Sequence, residues 1–370
     1  MSNTKDVIRE NEIDYANKIF KEENSYSDEN IFSTRYKTKI SDKKDEIPWV
    51  EKYRPKNLDD IIQQTEIVKV LKNTLKTGEL PHLLFFGPPG TGKTSTILAI
   101  ATQLFGPKII HDRVIELNAS DDRGIAIVRN SIITFAKISI GSKDPNYPCP
   151  DFKLVILDEA DAMTPEAQAA LRKVMEKMSG ITRFCFICNY INQIIDPISS
   201  RCMKFRFKLI DDEAIIEKLK VISKSEKIPI NDQCFKTIVK LSEGDVRRSI
   251  MTLQNLKYII NYKNKITPSD IIQITGGVEK SQFKDFWKIC STGKVSDVRN
   301  LALKIRREGF PIRIILSHIQ ECVMQNKLDD IKKSKILLEL CNTDRRLMEG
   351  SDEYIQILNI LLYANKIIKE

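Results

Sequence analysis

The sequence has no uncharged apolar stretch of about 18 residues, which removes a membrane-spanning helix from consideration. Residues 1–30 carry charge throughout and offer no apolar run for a secretory leader. Histidine is scarce: His82, His111 and His318 are the whole supply, none has the partners of a catalytic triad, and all three read as structural. The eight cysteines are scattered through apolar segments without the spacing of an extracellular framework, so free thiols in a reducing compartment are expected. Cys185-x-x-Cys188 has metal-like spacing, but it lies on an apolar strand with no second ligand pair, and Cys149 and Cys202 do not complete one. Buried thiols are the better reading than zinc. No internal repeat is found.

What the chain does have is length and positive charge. Its 370 residues suffice for two or three domains, each with a core. Hydrophobic residues make up 42% and charged residues 29%, the balance of an ordinary soluble chain. Residues 1–46 hold 9 Lys/Arg and 11 Asp/Glu, so the net +9 of the chain becomes +11 on residues 47–370. A basic folded part suits a polyanion such as nucleic acid, though no single tract concentrates the charge. The polar, charged residues 1–46 read as a disordered extension, with Ile13 to Phe20 as a possible short helix within it.

The strongest signal is Gly87-Pro88-Pro89-Gly90-Thr91-Gly92-Lys93-Thr94, which fits G-x-x-x-x-G-K-[ST]. It follows a short apolar strand, Leu83 to Phe86, and precedes a helical pattern that opens at Ser95. Glycines let the backbone bring its N–H groups up to phosphates, and the helix N-terminus adds partial positive charge. In such a loop Lys93 reaches the β- and γ-phosphates and the Thr94 hydroxyl ligates Mg²⁺. Upstream, Pro48 to Pro55 places Trp49 and Tyr53 beside basic residues, a composition able to wrap an adenine ring.

Downstream, strands are expected at Val114–Leu117, Leu154–Leu157, Phe184–Cys188 and Lys204–Phe207. Helices are expected over 66–76, ending at Gly78, over 125–137, and from Thr164-Pro165 to Ser179, ending at Gly180. Strands alternating with helices over residues 80–208 imply a three-layer α/β domain with a parallel sheet. From Asp211 onward the periodicity is helical, Asp245 reads as an N-cap, and Gly276-Gly277 marks a boundary.

Leu154–Leu157 runs into Asp158-Glu159. After a phosphate loop, such a pair supplies a Mg²⁺ ligand, Asp158, and a general base for the attacking water, Glu159. Asn189 ends the next strand, either as a hydrogen-bonding group for the γ-phosphate or water, or as a plain strand-end cap. Arg201, in an exposed turn, is either an arginine finger for a neighbouring subunit or a surface arginine. Arg247 and Arg248 open a helix from which one of them reaches back to the phosphates. Asp158-Glu159-Ala160-Asp161 spells DEAD, but the second motor domain of a DEAD-box helicase is missing.

Together these pieces resemble the small subunits of replication factor C, the eukaryotic and archaeal sliding-clamp loader of the AAA+ class. The resemblance rests on Trp49 to Pro55, Gly87 to Thr94, Glu116-Leu117-Asn118-Ala119-Ser120-Asp121, Leu157 to Asp161, Ser200-Arg201-Cys202 and Gly244-Asp245-Val246-Arg247-Arg248, in the family's order. Asp344 to Gly350 is similar to its collar domain. Tyr147-Pro148-Cys149-Pro150 and Ile187-Cys188-Asn189-Tyr190 resemble one eukaryotic small-subunit type.

The resemblance implies an AAA+ module with a five-stranded parallel sheet over residues 47–209, a helical lid over 210–275, and an all-α collar over 276–370. It implies Val50, Tyr53 and Arg54 in an adenine pocket, and Gly87, Pro88, Pro89, Gly90, Thr91, Gly92, Lys93, Thr94 and Ser95 around the phosphates. Asn189 becomes sensor 1, Arg201 the trans-acting finger and Arg247 sensor 2. Arg123, Arg129 and Arg172 are candidates for the DNA-backbone surface or its coupling to the site. ATP with Mg²⁺ is the implied ligand. The implied partners are other loader subunits in a hetero-pentamer, a sliding clamp and primer–template DNA. A non-hydrolysing scaffold subunit and a AAA+ branch-migration or recombination ATPase are the competing readings. The abundance of Ile, Lys and Asn leaves a nuclear or a viral cytoplasmic setting open. The chain departs from the family at Gln63, where a glycine is usual, and in its extension over residues 1–46.

Overall fold

The computed structural model describes residues 47–119, 124–138, 140–141, 143–260, 266–278 and 287–370. The expected extension and its helix at Ile13 to Phe20 lie outside these. The chain divides into two units, Met1–Lys52 and Tyr53–Glu370. The described part of the first is one helical turn, α1 (Trp49–Lys52), in which the Pro48 carbonyl accepts from the amides of Glu51 and Lys52.

The second unit is organised on a five-stranded, all-parallel sheet: β1 (Leu83–Phe86), β2 (Val114–Asn118), β3 (Lys153–Asp158), β4 (Thr182–Cys188) and β5 (Met203–Arg206). The spatial order is β2-β3-β4-β1-β5. The central strands read as continuous apolar runs because both of their faces are covered. Side-chain alternation divides them between two cores. Leu83, Phe85, Leu154, Ile156, Cys185 and Ile187 point to the side of α2 (Thr65–Thr77) and α3 (Lys93–Arg113). Leu84, Val155, Leu157, Phe184, Phe186 and Cys188 pack with α4 (Gly124–Lys137) and α5 (Pro165–Met178). The three-layer expectation is met, and Cys185 and Cys188, three positions apart on one strand, fall in opposite cores.

Local chemistry sets the element ends. Gly78 closes α2 at φ 72, as expected for a left-handed C-cap. Thr164 caps α5 by accepting from the Ala167 amide at 3.3 Å, with Pro165 at the first helical position. Gly180 does not play the role expected of it: α5 ends through Ser179 in right-handed geometry, and Gly180 is absent from the positive-φ residues. The amide of Ile181 returns to the Met178 carbonyl, and β4 starts one residue later. Helix α3 is bent where Gly106, at φ 76 and ψ 161, precedes Pro107.

Beyond β5 the described residues are helical. After the short α6 (Asp196–Ser199), which precedes β5, come α7 (Asp212–Ser225), α8 (Asp232–Ser242), α9 (Val246–Ile260) and α10 (Pro268–Ile274). A last group, α11 (Val295–Glu308), α12 (Ile312–Gln325), α13 (Asp330–Met348) and α14 (Glu353–Lys369), closes on its own core of Val298, Leu301, Ile315, Ile319, Ile336, Ile360 and Leu361.

Candidate functional site

Parallel strands deliver their C-terminal ends to one edge of the sheet, where crevices in open α/β sheets bind ligands. Leu83 pairs with Cys185 and Phe86 with Cys188, while Leu157 pairs with Phe186 and Asn118 with Asp158. β4 therefore lies between the phosphate-loop strand and the acidic strand, and all three end level.

The loop after β1 is held tightly from behind. A Cβ on Gly87 would sit 2.3 Å from the Phe207 carbonyl oxygen, so only glycine fits there. Gly90, at φ 70, faces a different obstacle: a Cβ would meet the Asp245 carboxylate at 1.8 Å. The Thr91 hydroxyl donates to the Pro88 carbonyl at 2.9 Å and fixes the loop's bend. Gly92 is the N-cap of α3, Thr94 and Ser95 lie in its first turn, and Pro89 is exposed on the loop's outer side.

Lys93 is 8% exposed. Its ammonium donates to Gly87 O at 2.8 Å, Pro88 O at 2.9 Å and Asn189 Oδ1 at 2.9 Å, which uses all three of its N–H groups. Burial pushes this lysine below the ordinary range, and the Arg247 charge acts in the same direction, against the pull of Asp158 and Asp161. Asn189, expected as a hydrogen-bonding group for the γ-phosphate or water or as a strand-end cap, touches the phosphate-loop lysine directly, and Arg247, from α9, lies within electrostatic reach of it. Arg248 opens the same helix one residue later.

Thr94 and Asp158 meet as expected, Thr94 Oγ1 donating to Asp158 Oδ2 at 2.8 Å. The other carboxylate oxygen, Oδ1, accepts from the Glu159 amide at 2.9 Å. Glu159 itself is exposed and left-handed, at φ 54 and ψ 37. A non-glycine residue in that region is uncommon, and such strained positions cluster at functional sites.

Tyr53 lies just after α1. Its hydroxyl donates to Glu226 Oε1 at 2.7 Å, and Lys257 pairs with the other oxygen at 3.2 Å. Burial, reinforced by Glu226, raises the phenol to about 12. Val50 belongs to α1, and Arg54 is half-buried beyond it. Arg201 follows α6. Its guanidinium donates to Pro197 O at 2.7 Å and to Glu176 Oε1 at 2.9 Å, and Arg172 approaches the same carboxylate at 3.3 Å. Arg172 therefore joins Arg201 rather than the phosphate loop. Arg123 lies outside the described residues, and Arg129 is placed only as a position on α4.

Two contributors escaped the sequence reading, and a third was read only as a helix cap. Asp161 Oδ2 accepts from the amides of Asn189 and Tyr190, at 2.9 and 3.1 Å, and so anchors the end of β4. Gln168, 1% exposed, donates to Met163 O and Gln193 O and accepts from the Ile195 amide, stitching α5 to the loop after β4. Its signal was available: an amide side chain in phase with Leu171 and Met175 on a buried helical face. The third is Asp245, whose carboxylate accepts from the Arg248 amide at 3.1 Å, as an N-cap should, while also abutting Gly90.

The donor set fits a triphosphate and a hard divalent ion. A hydroxyl and a carboxylate 2.8 Å apart are oxygen ligands of the kind Mg²⁺ takes, and a glycine-turned loop at a helix N-terminus presents amides to anions.

Comparison with known proteins agrees over most of the chain. The model of the ATPase family associated with various cellular activities (AAA) matches residues 83–209. The RCF1/5-like AAA+ ATPase lid domain matches residues 217–257, and the replication factor C C-terminal domain matches residues 278–363. Replication factor C subunit 4 of Arabidopsis thaliana is 45% identical over 317 residues, covering 85% of this chain and 93% of that protein. Replication factor C subunit 4 of Homo sapiens is 45% identical over 315 residues, covering 85% and 86%. A putative replication factor C small subunit, L510, of Acanthamoeba polyphaga mimivirus is 40% identical over 355 residues, covering 87% and 98%. Relatives this similar over nearly their full length share more than a fold, and the chain belongs to the replication factor C small subunits, the AAA+ ATPases that act as clamp-loader subunits in DNA replication.

Proposed function

We propose that this subunit binds ATP with Mg²⁺ at the Gly87–Thr94 loop and hydrolyses it at a site completed by a neighbouring loader subunit. The joined pairs Lys93–Asn189 and Thr94–Asp158, at the level ends of β1, β3 and β4, carry this reading. Residues 47–209 form the ATPase module, 210–275 the lid and 276–370 the collar. The loop amides and Lys93 hold the phosphates, and Tyr53 and Arg54 face the base. Thr94 and Asp158 hold the metal ion, which when bound neutralises developing charge on the phosphate oxygens. Glu159 orients the attacking water and takes its proton. Asn189 and Arg247 report the state of the γ-phosphate, and Arg201 serves the neighbour's nucleotide.

Within a hetero-pentamer the cycle opens a sliding clamp and places it on primer–template DNA. The DNA is tracked through its phosphates by Arg123 and Arg129, while Arg172 couples that surface to Arg201. The setting is the nucleus, the natural place for a eukaryotic replication subunit. The presence of Lys93, Thr94, Asp158 and Glu159 together favours a hydrolysing subunit over a scaffold.

The test is ATP turnover by the purified assembly, with and without primed DNA and a sliding clamp. Stimulation by both, lost when this subunit carries Lys93→Ala, is the expected result. An assembly whose turnover ignores primed DNA and clamp, or survives Lys93→Ala unchanged, defeats the proposal.

A further inference from the structure

Gln63 is held in an unfavourable conformation. It sits at φ 62, the left-handed region that a side chain resists, in the middle of a three-residue turn closed by the Gln64 amide on the Ile62 carbonyl at 2.9 Å. Such strain persists only where the surroundings impose it. Here the surroundings are the link between β5 and α7. Gln63 Oε1 accepts from the Asp211 amide at 2.6 Å. Asp211 precedes α7 and makes no side-chain cap of its own, so the glutamine, 148 residues earlier, serves an amide at the helix entrance.

Gln64 repeats the device one step back. It is buried at 7% exposure, its Nε2 donates to Lys208 O at 2.9 Å, and its Oε1 accepts from the Lys208 amide at 3.5 Å. Two consecutive glutamines thus clasp both ends of residues 208–211, the only covalent link from the sheet to α7. The clasped link leads to the phosphate loop. A Cβ on Gly244 would meet Leu209 Cδ2 at 3.0 Å, so the link lies directly against the turn that carries Asp245. Asp245 abuts Gly90, and the Arg247 charge acts on Lys93.

We propose that Gln63, supported by Gln64, is a positioning residue for nucleotide binding: its hydrogen bond to Asp211 sets the angle at which the helices after β5 present Asp245 and Arg247 to the phosphate loop. The strain at Gln63 is the cost of placing an acceptor there. A glycine would relax the turn and lose the clasp. The proposal rests on the Gly87–Thr94 loop being the ATP site.

Two measurements on the full chain test it. Hydrogen exchange of the amides at 208–212, without nucleotide, reads the clasp. Equilibrium binding of ATP with Mg²⁺ reads its consequence. Gln63→Gly is expected to speed exchange at Asp211 about fivefold and to weaken ATP binding by a similar factor, the size of one lost hydrogen bond. Gln63→Glu, whose carboxylate also accepts, is expected to restore both. Wild-type exchange in Gln63→Gly overturns the clasp, and wild-type ATP affinity with faster exchange overturns the positioning role. A Gln63→Glu variant as impaired as Gln63→Gly overturns both. A wild-type chain that binds no ATP overturns the nucleotide reading itself, while the exchange result still shows whether the clasp exists.

Discussion

Replacing Gly90 with alanine perturbs two things at once, and the structure allows them to be separated. The first is conformational: at φ 70 a side chain costs about 1–2 kcal/mol. The second is steric: the new methyl carbon would lie 1.8 Å from Asp245 Oδ1 and 2.2 Å from its Cγ, well inside contact. Asp245 must swing away and release the Arg248 amide it caps, at a further cost of about 1 kcal/mol. The total is about 2–3 kcal/mol, or a melting-temperature loss of roughly 5–10 °C for a module of this size. ATP binding falls with it, because the turn that carries Asp245 also leads into Arg247. Glycine at an N-cap costs only a few tenths of a kcal/mol, so Asp245→Gly is a mild background. There Gly90→Ala should lose its steric part and keep its conformational part, giving a coupling of about 1 kcal/mol in a double-mutant cycle. Calorimetry on the four proteins decides the matter. Equal cost of Gly90→Ala in both backgrounds, or no cost in either, refutes the contact between Asp245 and the phosphate loop.

Other expectations are simpler. Glu159→Gln should bind ATP like the wild type and lose more than 100-fold in DNA-stimulated turnover, about the value of a general base; undiminished turnover removes that role. Arg201→Ala should leave this subunit's own ATP affinity intact and slow hydrolysis in mixed assemblies by about 10³-fold at the neighbour's site; no cross-subunit loss means that Arg201 is not a finger. Tyr53 is raised from 10.0 to about 12, so the unfolded chain releases this proton first. Its stabilising effect is complete below pH 10 and is lost as pH climbs through 12, and Tyr53→Phe should flatten that part of the stability curve. Among the thiols, Cys341 is exposed and Cys322 half-buried, while the other six are buried. A maleimide should label one thiol quickly and a second slowly in the native chain, and all eight in denaturant. Fast native labelling of Cys188, which burial and Asp161 push up to about 12, would contradict its packing beside Lys93.

Much of the molecule was legible before the fold was known, and the reason is local. The inner strands β1, β3 and β4 are largely apolar runs bounded by turn residues, and Leu83 to Thr94 carries its own strand, loop and helix start in consecutive positions. Thr94 with Asp158 was readable because one closes the phosphate-loop motif at a helix start and the other ends an apolar strand. What stayed hidden depends on long-range placement. Asp161 looks like the last letter of a motif, yet its oxygen holds the amides of Asn189 and Tyr190, just past the end of β4. Gln63 looks like a loss of glycine, yet it takes up the glycine conformation and gains an acceptor. Gly90 and Asp245 are 155 residues apart, and neither announces the other. Gly180 shows the opposite failure: a plausible local signal with no left-handed turn behind it.

The strand order also bears on how the chain comes into being. β1 has only two hydrogen-bonding neighbours, β4 and β5, and Leu83 pairs with Cys185 and Met203. Both partners leave the ribosome about 100 residues after β1 does, an interval of roughly 5–20 s at ordinary rates of synthesis. β2 and β3, separated by a single helix, can pair with each other long before that. During the interval Leu83-Leu84-Phe85-Phe86 has no lawful partner, and its four apolar side chains and open amides suit any passing strand. The two seams of β1, with β4 and then with β5, are therefore the last to be sewn, and nascent chains of this subunit should lean on chaperones at the very residues that later carry the phosphate loop.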